Sequence, residues 1–230
     1  FWMVLNPLAQ VCIYAAVLSK VLGAEMPGID SKYAYAIYLM AGQLAWTTFS
    51  DVIMRSQTMF IDNASLLSKI SFPRLLLPLV TSGIVITNSI IFFMVIVVIF
   101  TLLGHFPGWP ILGVPVLLLL TLCLGQAIGL IVAVLNVFYR DVGQVVPILL
   151  QLGFWMTPIV YRPKILPEAI SELLAYNPML HIVKAFQNVM VFDQPPQFGA
   201  LAVVMAFSVI LMAFAVFLFR RASPELVEAL

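Results

Sequence analysis

LLLPLVTSGIVITNSIIFFMVIVVIFTLL (Leu75–Leu103) and ILGVPVLLLLTLCLGQAIGLIVAVLNVF (Ile111–Phe138) are two long runs without a single charged side chain. A helix needs about 20 mostly apolar residues to cross the hydrocarbon of a bilayer, and both runs exceed that. The stretch between them, Gly104 to Pro110, is tight and rich in Pro and Gly, so the two read as a transmembrane hairpin. Four more stretches extend the pattern outward. Val4–Leu22 is the first span, with Lys20 able to snorkel near its end, and Tyr35–Arg55 is the second. Val145–Tyr161 is a short fifth span, reached through a tight turn at Arg140-Asp141. Phe198–Phe219 is the sixth and stops at Arg220-Arg221. The expected fold is all-α: a single transmembrane domain of six helices with short accessory helices.

Composition agrees. Of 230 residues, 63% are hydrophobic and 9% charged, whereas a water-soluble domain carries roughly a quarter charged residues. A formal net charge of +1 leaves no basic stripe for nucleic acid. Cys12 and Cys123 fall inside apolar runs and read as small core hydrophobes, not a disulfide or metal pair. The sequence opens at Phe1, not Met, and enters an apolar segment at once, so a preceding piece is expected. With Asn6-Pro7 at its head and no basic flank, the opening does not read as a signal peptide. Lys and Arg divide almost evenly between the two sides of a six-span arrangement, so charge alone does not orient it.

Two loops carry more than connection. Between the second and third spans, Asp62-Asn63 can cap a short helix that presents Leu66, Leu67 and Ile70 on one face. Ser71-Phe72-Pro73 ends it, and Lys69 and Arg74 flank the apolar patch. Such a helix either floats at the headgroups or docks into a groove on a soluble partner. Between the fifth and sixth spans, Ile165–Ala175 and Pro178–Phe192 are too short to cross and too apolar for free loop. Asn177 is a fitting N-cap with Pro178 at the first helical position. Met179, Ile182 or Val183, Phe186 and Val189 or Met190 then form a stripe, with Lys184 and Gln187 off it. Two short helices dipping into one leaflet or lying on it is the simplest reading, and exposed backbone at that depth must be buried in protein.

Within the spans, Asp51 and Arg55 lie four apart and share a helix face, as an internal ion pair or a gate lining. In the fifth span Gln151, Trp155 and Pro158 fall on one stripe, with Phe154 and Tyr161 nearby. An aromatic and amide surface suits sugar rings; an aromatic belt at headgroup level has the same composition. Gly125 and Gly129 form a small-xxx-small pair for close helix packing, within or between chains. His105 and His181 stand alone, so no metal site is expected. No phosphate-binding glycine loop and no nucleophile with a base are present, which places any energy source in another polypeptide.

LSKISFPRLLLPL (Leu67–Leu79), NVFYRDVGQVVPILLQ (Asn136–Gln151), MTPIVY (Met156–Tyr161), NPMLHIVKAFQ (Asn177–Gln187) and LNP (Leu5–Pro7) resemble, in order and spacing, the membrane subunits of polysaccharide-exporting ABC transporters. That family exports O-antigen, capsule and teichoic acid. The resemblance implies six spans with cytoplasmic termini in the bacterial inner membrane, and a homodimer with two ATP-binding subunits that hold ATP and Mg. It implies a coupling helix at Asn63 to Ile70, in which Asn63, Leu66, Leu67, Lys69, Ile70 and Arg74 meet the ATPase. The helices from Ile165 to Phe192 become extracytoplasmic re-entrant helices. The first and fifth spans line the polymer path, through Tyr14, Gln151, Phe154, Trp155 and Tyr161. The amphipathic segment that usually precedes the first span in the family is not seen in this sequence. The remaining readings are an ABC permease for a drug or lipid, a membrane-embedded transferase, for which Asp51 and Asp141 are thin support, or a secondary transporter.

Overall fold

The computed structural model describes residues 5–13, 34–69, 74–104, 108–161, 172 and 174–229. Among them all regular structure is helical. Residues 5–13 form α1, followed by α2 (Ala34–Asp62), α3 (Ala64–Lys69) and α4 (Leu76–Leu102). A 3-10 turn at Trp109–Gly113 leads into α5 (Val114–Phe138). Then come α6 (Val142–Met156), α7 (Pro178–Met190) and α8 (Phe198–Ala229).

Among the described residues, three helical stretches are long and apolar enough to cross a membrane: Leu76–Leu102, Trp109–Phe138 and Phe198–Ser223. On α4 and α8 large apolar side chains such as Leu79, Met94, Val98, Val203, Ile210 and Phe217 are exposed. So much bare hydrocarbon calls for lipid or another protein against it. Hydroxyls on these helices bond their own backbone: Thr87 Oγ1 donates to Gly83 O at 2.8 Å, Thr101 Oγ1 to Val97 O at 2.9 Å and Ser208 Oγ to Val204 O at 2.7 Å. Such polar groups need no partner from a solvent that has none to offer.

Several boundaries differ from expectation. α2 continues past Arg55 to Asp62, because no Pro or Gly interrupts 43–62 and Ser56, Gln57, Met59 and Phe60 are buried. α6 ends at Met156, and Pro158 lies in the turn that follows, off the helical stripe assigned to it. Its 15 residues span about 22 Å, short of the roughly 30 Å of a full crossing. α8 runs through Arg220-Arg221 to Ala229 instead of stopping at the arginines. Cys12 is exposed and Cys123 partly buried, so Cys12 is not the core residue expected.

The described chain divides into two compact units. One comprises Phe1–Thr47, Asn88–Leu118 and Phe154–Leu201. Here α7 is buried nearly all round, Gln187 included, and packs against the 3-10 turn. Gln187, expected off the apolar stripe, is buried with it. Asn177 caps α7, its Oδ1 accepting from Met179 N at 3.0 Å. At the end of α4, Gly104 adopts φ +77°, the left-handed turn that stops a helix cheaply.

The other unit comprises Thr48–Thr87, Leu119–Gly153 and Ala202–Leu230. Its core joins Met59 and Phe60 of α2, Leu67 of α3, Leu77 of α4, Leu130, Ala133 and Val137 of α5, and Ala215 and Phe219 of α8. Phe60 and Phe219 stack with centroids 5.5 Å apart. The Gly125/Gly129 pair serves packing within the chain, α5 against α2. A Cβ at Gly125 would sit 2.3 Å from Val52 Cγ1, and one at Gly129 2.7 Å from Ser56 Cβ. Gly125→Ala therefore lowers stability by about 1–3 kcal/mol through overpacking. The check is thermal unfolding of the detergent-purified chain, where Tm drops by several degrees. Gly83→Ala, with nothing within 4 Å of its Cβ, does not lower it.

Candidate functional site

The segment that resembles a coupling helix begins at a two-sided joint. Asn63 Nδ2 donates to Met59 O at 2.8 Å, closing the end of α2, while Asn63 O accepts from Leu67 N at 3.1 Å and opens α3. The side chain expected to cap α3 thus caps α2 instead. Leu67 is buried in the chain's own core with Phe60, Val137 and Phe219, so it anchors α3 and is not available to a partner. Past α3, Arg74 donates to the backbone carbonyl and to the hydroxyl of Ser223, tying the start of α4 to the end of α8. Leu66 and Lys69 fall on α3, but their side chains, and all of Ile70, lie outside the described residues. The helix is short and neutral in its first turn, and Leu67 holds it to the core.

Asp51 and Arg55 form the ion pair read from their spacing, Nε to Oδ1 at 2.9 Å, with both side chains about 30% exposed. Because α2 continues, the pair sits two turns inside the helix instead of at its end.

On α6, Gln151 and Trp155 are exposed and Phe154 half-buried. Phe154 meets Trp155 edge-on at 5.6 Å and Trp46 of α2 edge-on at 5.8 Å. Tyr161 folds back so that its hydroxyl donates to Trp155 O at 2.9 Å. Four rings thus gather at one end of α6. Trp46 escaped the sequence reading because it lies mid-span on another helix; its ring at helical spacing from Gln43 was the available signal. Tyr14 and His105 lie outside the described residues.

Two of the motifs quoted above meet here. Asn177 Nδ2 donates to Thr157 Oγ1 at 3.2 Å, so the carboxamide that caps α7 also holds the turn after α6. Tyr35 at the head of α2 donates its hydroxyl to Val160 O in that same turn. His181 is engaged with Ala175 O at 2.9 Å. Among the described residues, no three of His, Cys, Asp and Glu gather as a metal site.

The chain is thus a multi-pass helical membrane protein with a short anchored helix between two of its long ones and an aromatic cluster at one end of a third. Residues 1–191 match the ABC-2 type transporter family, and the chain belongs to that family. It is similar to the O-antigen export system permease protein RfbA of Myxococcus xanthus, 28% identical over all of this chain and 86% of that protein. The RfbA of Klebsiella pneumoniae is 28% identical over 81% of this chain and 70% of its own length. The polysialic acid transport protein KpsM of Escherichia coli is 24% identical over 80% of this chain and 70% of its own.

Replacing Leu67 by Ala removes the anchor of α3 at a cost of about 2–5 kcal/mol. Limited proteolysis reads it: cleavage within residues 62–74 becomes several-fold faster than in the unaltered chain, and an equal rate contradicts the anchoring role.

Proposed function

We propose that this chain is the channel-forming membrane subunit of an ABC exporter that moves a lipid-linked, O-antigen-like polysaccharide across the bacterial inner membrane. Energy comes from a separate ATP-binding subunit, which holds the ATP and Mg. Membership of the ABC-2 type transporter family and similarity to O-antigen and polysialic acid exporters support this reading. The observation that carries it is α3, a helix too short to span or to fold alone, fixed to the core through Leu67. A helix so placed passes a push from below into the ends of α2, α5 and α8.

In this reading α1, α2, α4, α5, α6 and α8 are the six spans, both termini are cytoplasmic, and α3 faces the cytoplasm. The segment from Ile165 to Phe192 is extracytoplasmic and re-entrant. Six helices enclose too little room for a polymer, so two copies pair about a two-fold axis with two ATPases. α6, covered by its own chain mainly at Val146, lines the path together with the first span. Tyr14, Gln151, Phe154, Trp155 and Tyr161 offer ring faces and amides to passing sugars. Asp51 and Arg55 stabilise each other's charge beside that path.

Charges introduced by Leu66→Asp and Ile70→Asp abolish co-purification of the ATPase and polymer export. Unchanged association and export in either variant removes the docking role. Trp155→Ala together with Tyr161→Ala leaves ATPase binding intact but cuts export of long polymer about tenfold, on the order of two lost stacking contacts; normal export by well-inserted protein contradicts the lining role.

A further inference from the structure

A cluster of buried carboxamides lies where α2, α5 and the start of α6 meet, and none of the roles above uses it. Asn136 of α5 donates from Nδ2 to the backbone carbonyl of Gln57 on α2, at 2.8 Å. Gln57 in turn donates from Nε2 to the carbonyl of Gly143, in the first turn of α6, at 3.3 Å. Nearly three turns away along α5, Gln126 Oε1 accepts from Ser82 Oγ at 2.9 Å and from Ser56 Oγ at 3.4 Å. Gln57, Gln126 and Asn136 are all more than nine-tenths buried.

The carbonyl that Gln57 reaches is not an ordinary helical one. In an α-helix Gly143 O would accept from the N–H of residue 147, four positions on. Residue 147 is Pro147, which has no N–H, so the helix itself leaves that acceptor open. Gln57 fills the gap from another helix. Gly143 also fits closely: a Cβ there would lie 3.1 Å from Asn136 Oδ1.

Residue 57 therefore holds two helices at once, α5 through its backbone oxygen and α6 through its side chain. It lies less than two turns before the joint at Asn63, from which α3 departs. Gln57 Oε1 and Asn136 Oδ1 have no hydrogen-bond partner among the described residues. A buried polar atom left without a partner costs free energy, so this network is not held there by stability alone.

Resting on the proposed export function, we propose that Gln57 and Asn136 are positioning residues. They pin the first turn of α6 to the helix that carries α3, so that displacement of α3 by the ATPase moves the path-lining helix. The acceptor freed by Pro147 is the socket of that pin. Two changes with opposite effects on the helix then have the same effect on transport. Gln57→Met keeps length and volume but removes the donor. Pro147→Ala restores an N–H that competes for Gly143 O and favours a straight helix.

The experiment reconstitutes the full complex with its ATPase in proteoliposomes and measures polymer translocated per ATP hydrolysed. Both variants bind the ATPase and hydrolyse ATP near the unaltered rate, but move about fivefold less polymer per ATP, the worth of one hydrogen bond near 1 kcal/mol. Pro147→Ala does this while its Tm is equal or higher, which a merely structural role would not produce. An unaltered ratio in Pro147→Ala overturns the pin, and so does a fall in which hydrolysis and export decline in proportion. Should Gln57→Met not assemble, Pro147→Ala decides alone. If the unaltered complex shows no ATP-dependent export, the functional reading fails; if it exports and the variants keep its ratio, only the pin fails.

Discussion

The approach of α2 to α5 is the contact on which the membrane-spanning architecture depends. In water, helices associate because their apolar faces avoid solvent, but hydrocarbon is as apolar as leucine and supplies no such drive. What remains is close packing and hydrogen bonding. Gly125 and Gly129 remove the side chains that would hold α5 away from Val52 and Ser56. With the backbones that near, short carboxamide and hydroxyl groups span the gap, Asn136 to Gln57 O and Ser56 to Gln126. Every partner in these bonds is neutral. A neutral donor and acceptor are far cheaper to bury than a charge, which explains how a chain with 9% charged residues is specified internally by amides and glycines.

Function follows from what that contact leaves over. α2 is helical from Ala34 to Asp62 and hands directly to α3 through the single residue Asn63. Leu67 and the Phe60–Phe219 stack bind the short helix to the ends of its neighbours. In the proposed function, a force applied to α3 passes through these contacts into α2 and α5. α6 is the contrasting element: 15 residues, interrupted by Pro147, with much of its apolar surface bare. A helix so loosely covered is suited to face a second copy, a polymer or lipid, and to move. Its two ends are held by specific polar bonds, at Gly143 and in the turn of Thr157 and Val160, instead of by a broad apolar face.

The sequence displayed the long charge-free helices, the turns at Gly104 and Arg140, and the cap at Asn177, since each depends on local rules of length, glycine, proline and side-chain chemistry. It also displayed the Asp51–Arg55 pair, because four-residue spacing is a helical neighbour relation. The inward turn of Gln187 was not visible, because an amide among apolar residues reads as an outer face unless the opposite side is known to be protein. The burial of Leu67 is hidden for the converse reason: apolar residues on so short a helix do not say which of them points at its own chain. Gln57 and Gly143 were unmarked because the missing donor at Pro147 matters only once another helix is known to stand beside it. Long-range pairings of this kind are set by tertiary approach, and nearest-neighbour patterns do not encode them.

The central claim is that this chain is a conduit with no engine of its own, driven through α3. Polymer flux into proteoliposomes, measured for the chain alone and for the chain with its nucleotide-hydrolysing companion, tests it most directly. The account predicts flux only when both are present and ATP is supplied. Sustained transport, or chemical change of the substrate, by the chain alone would contradict it.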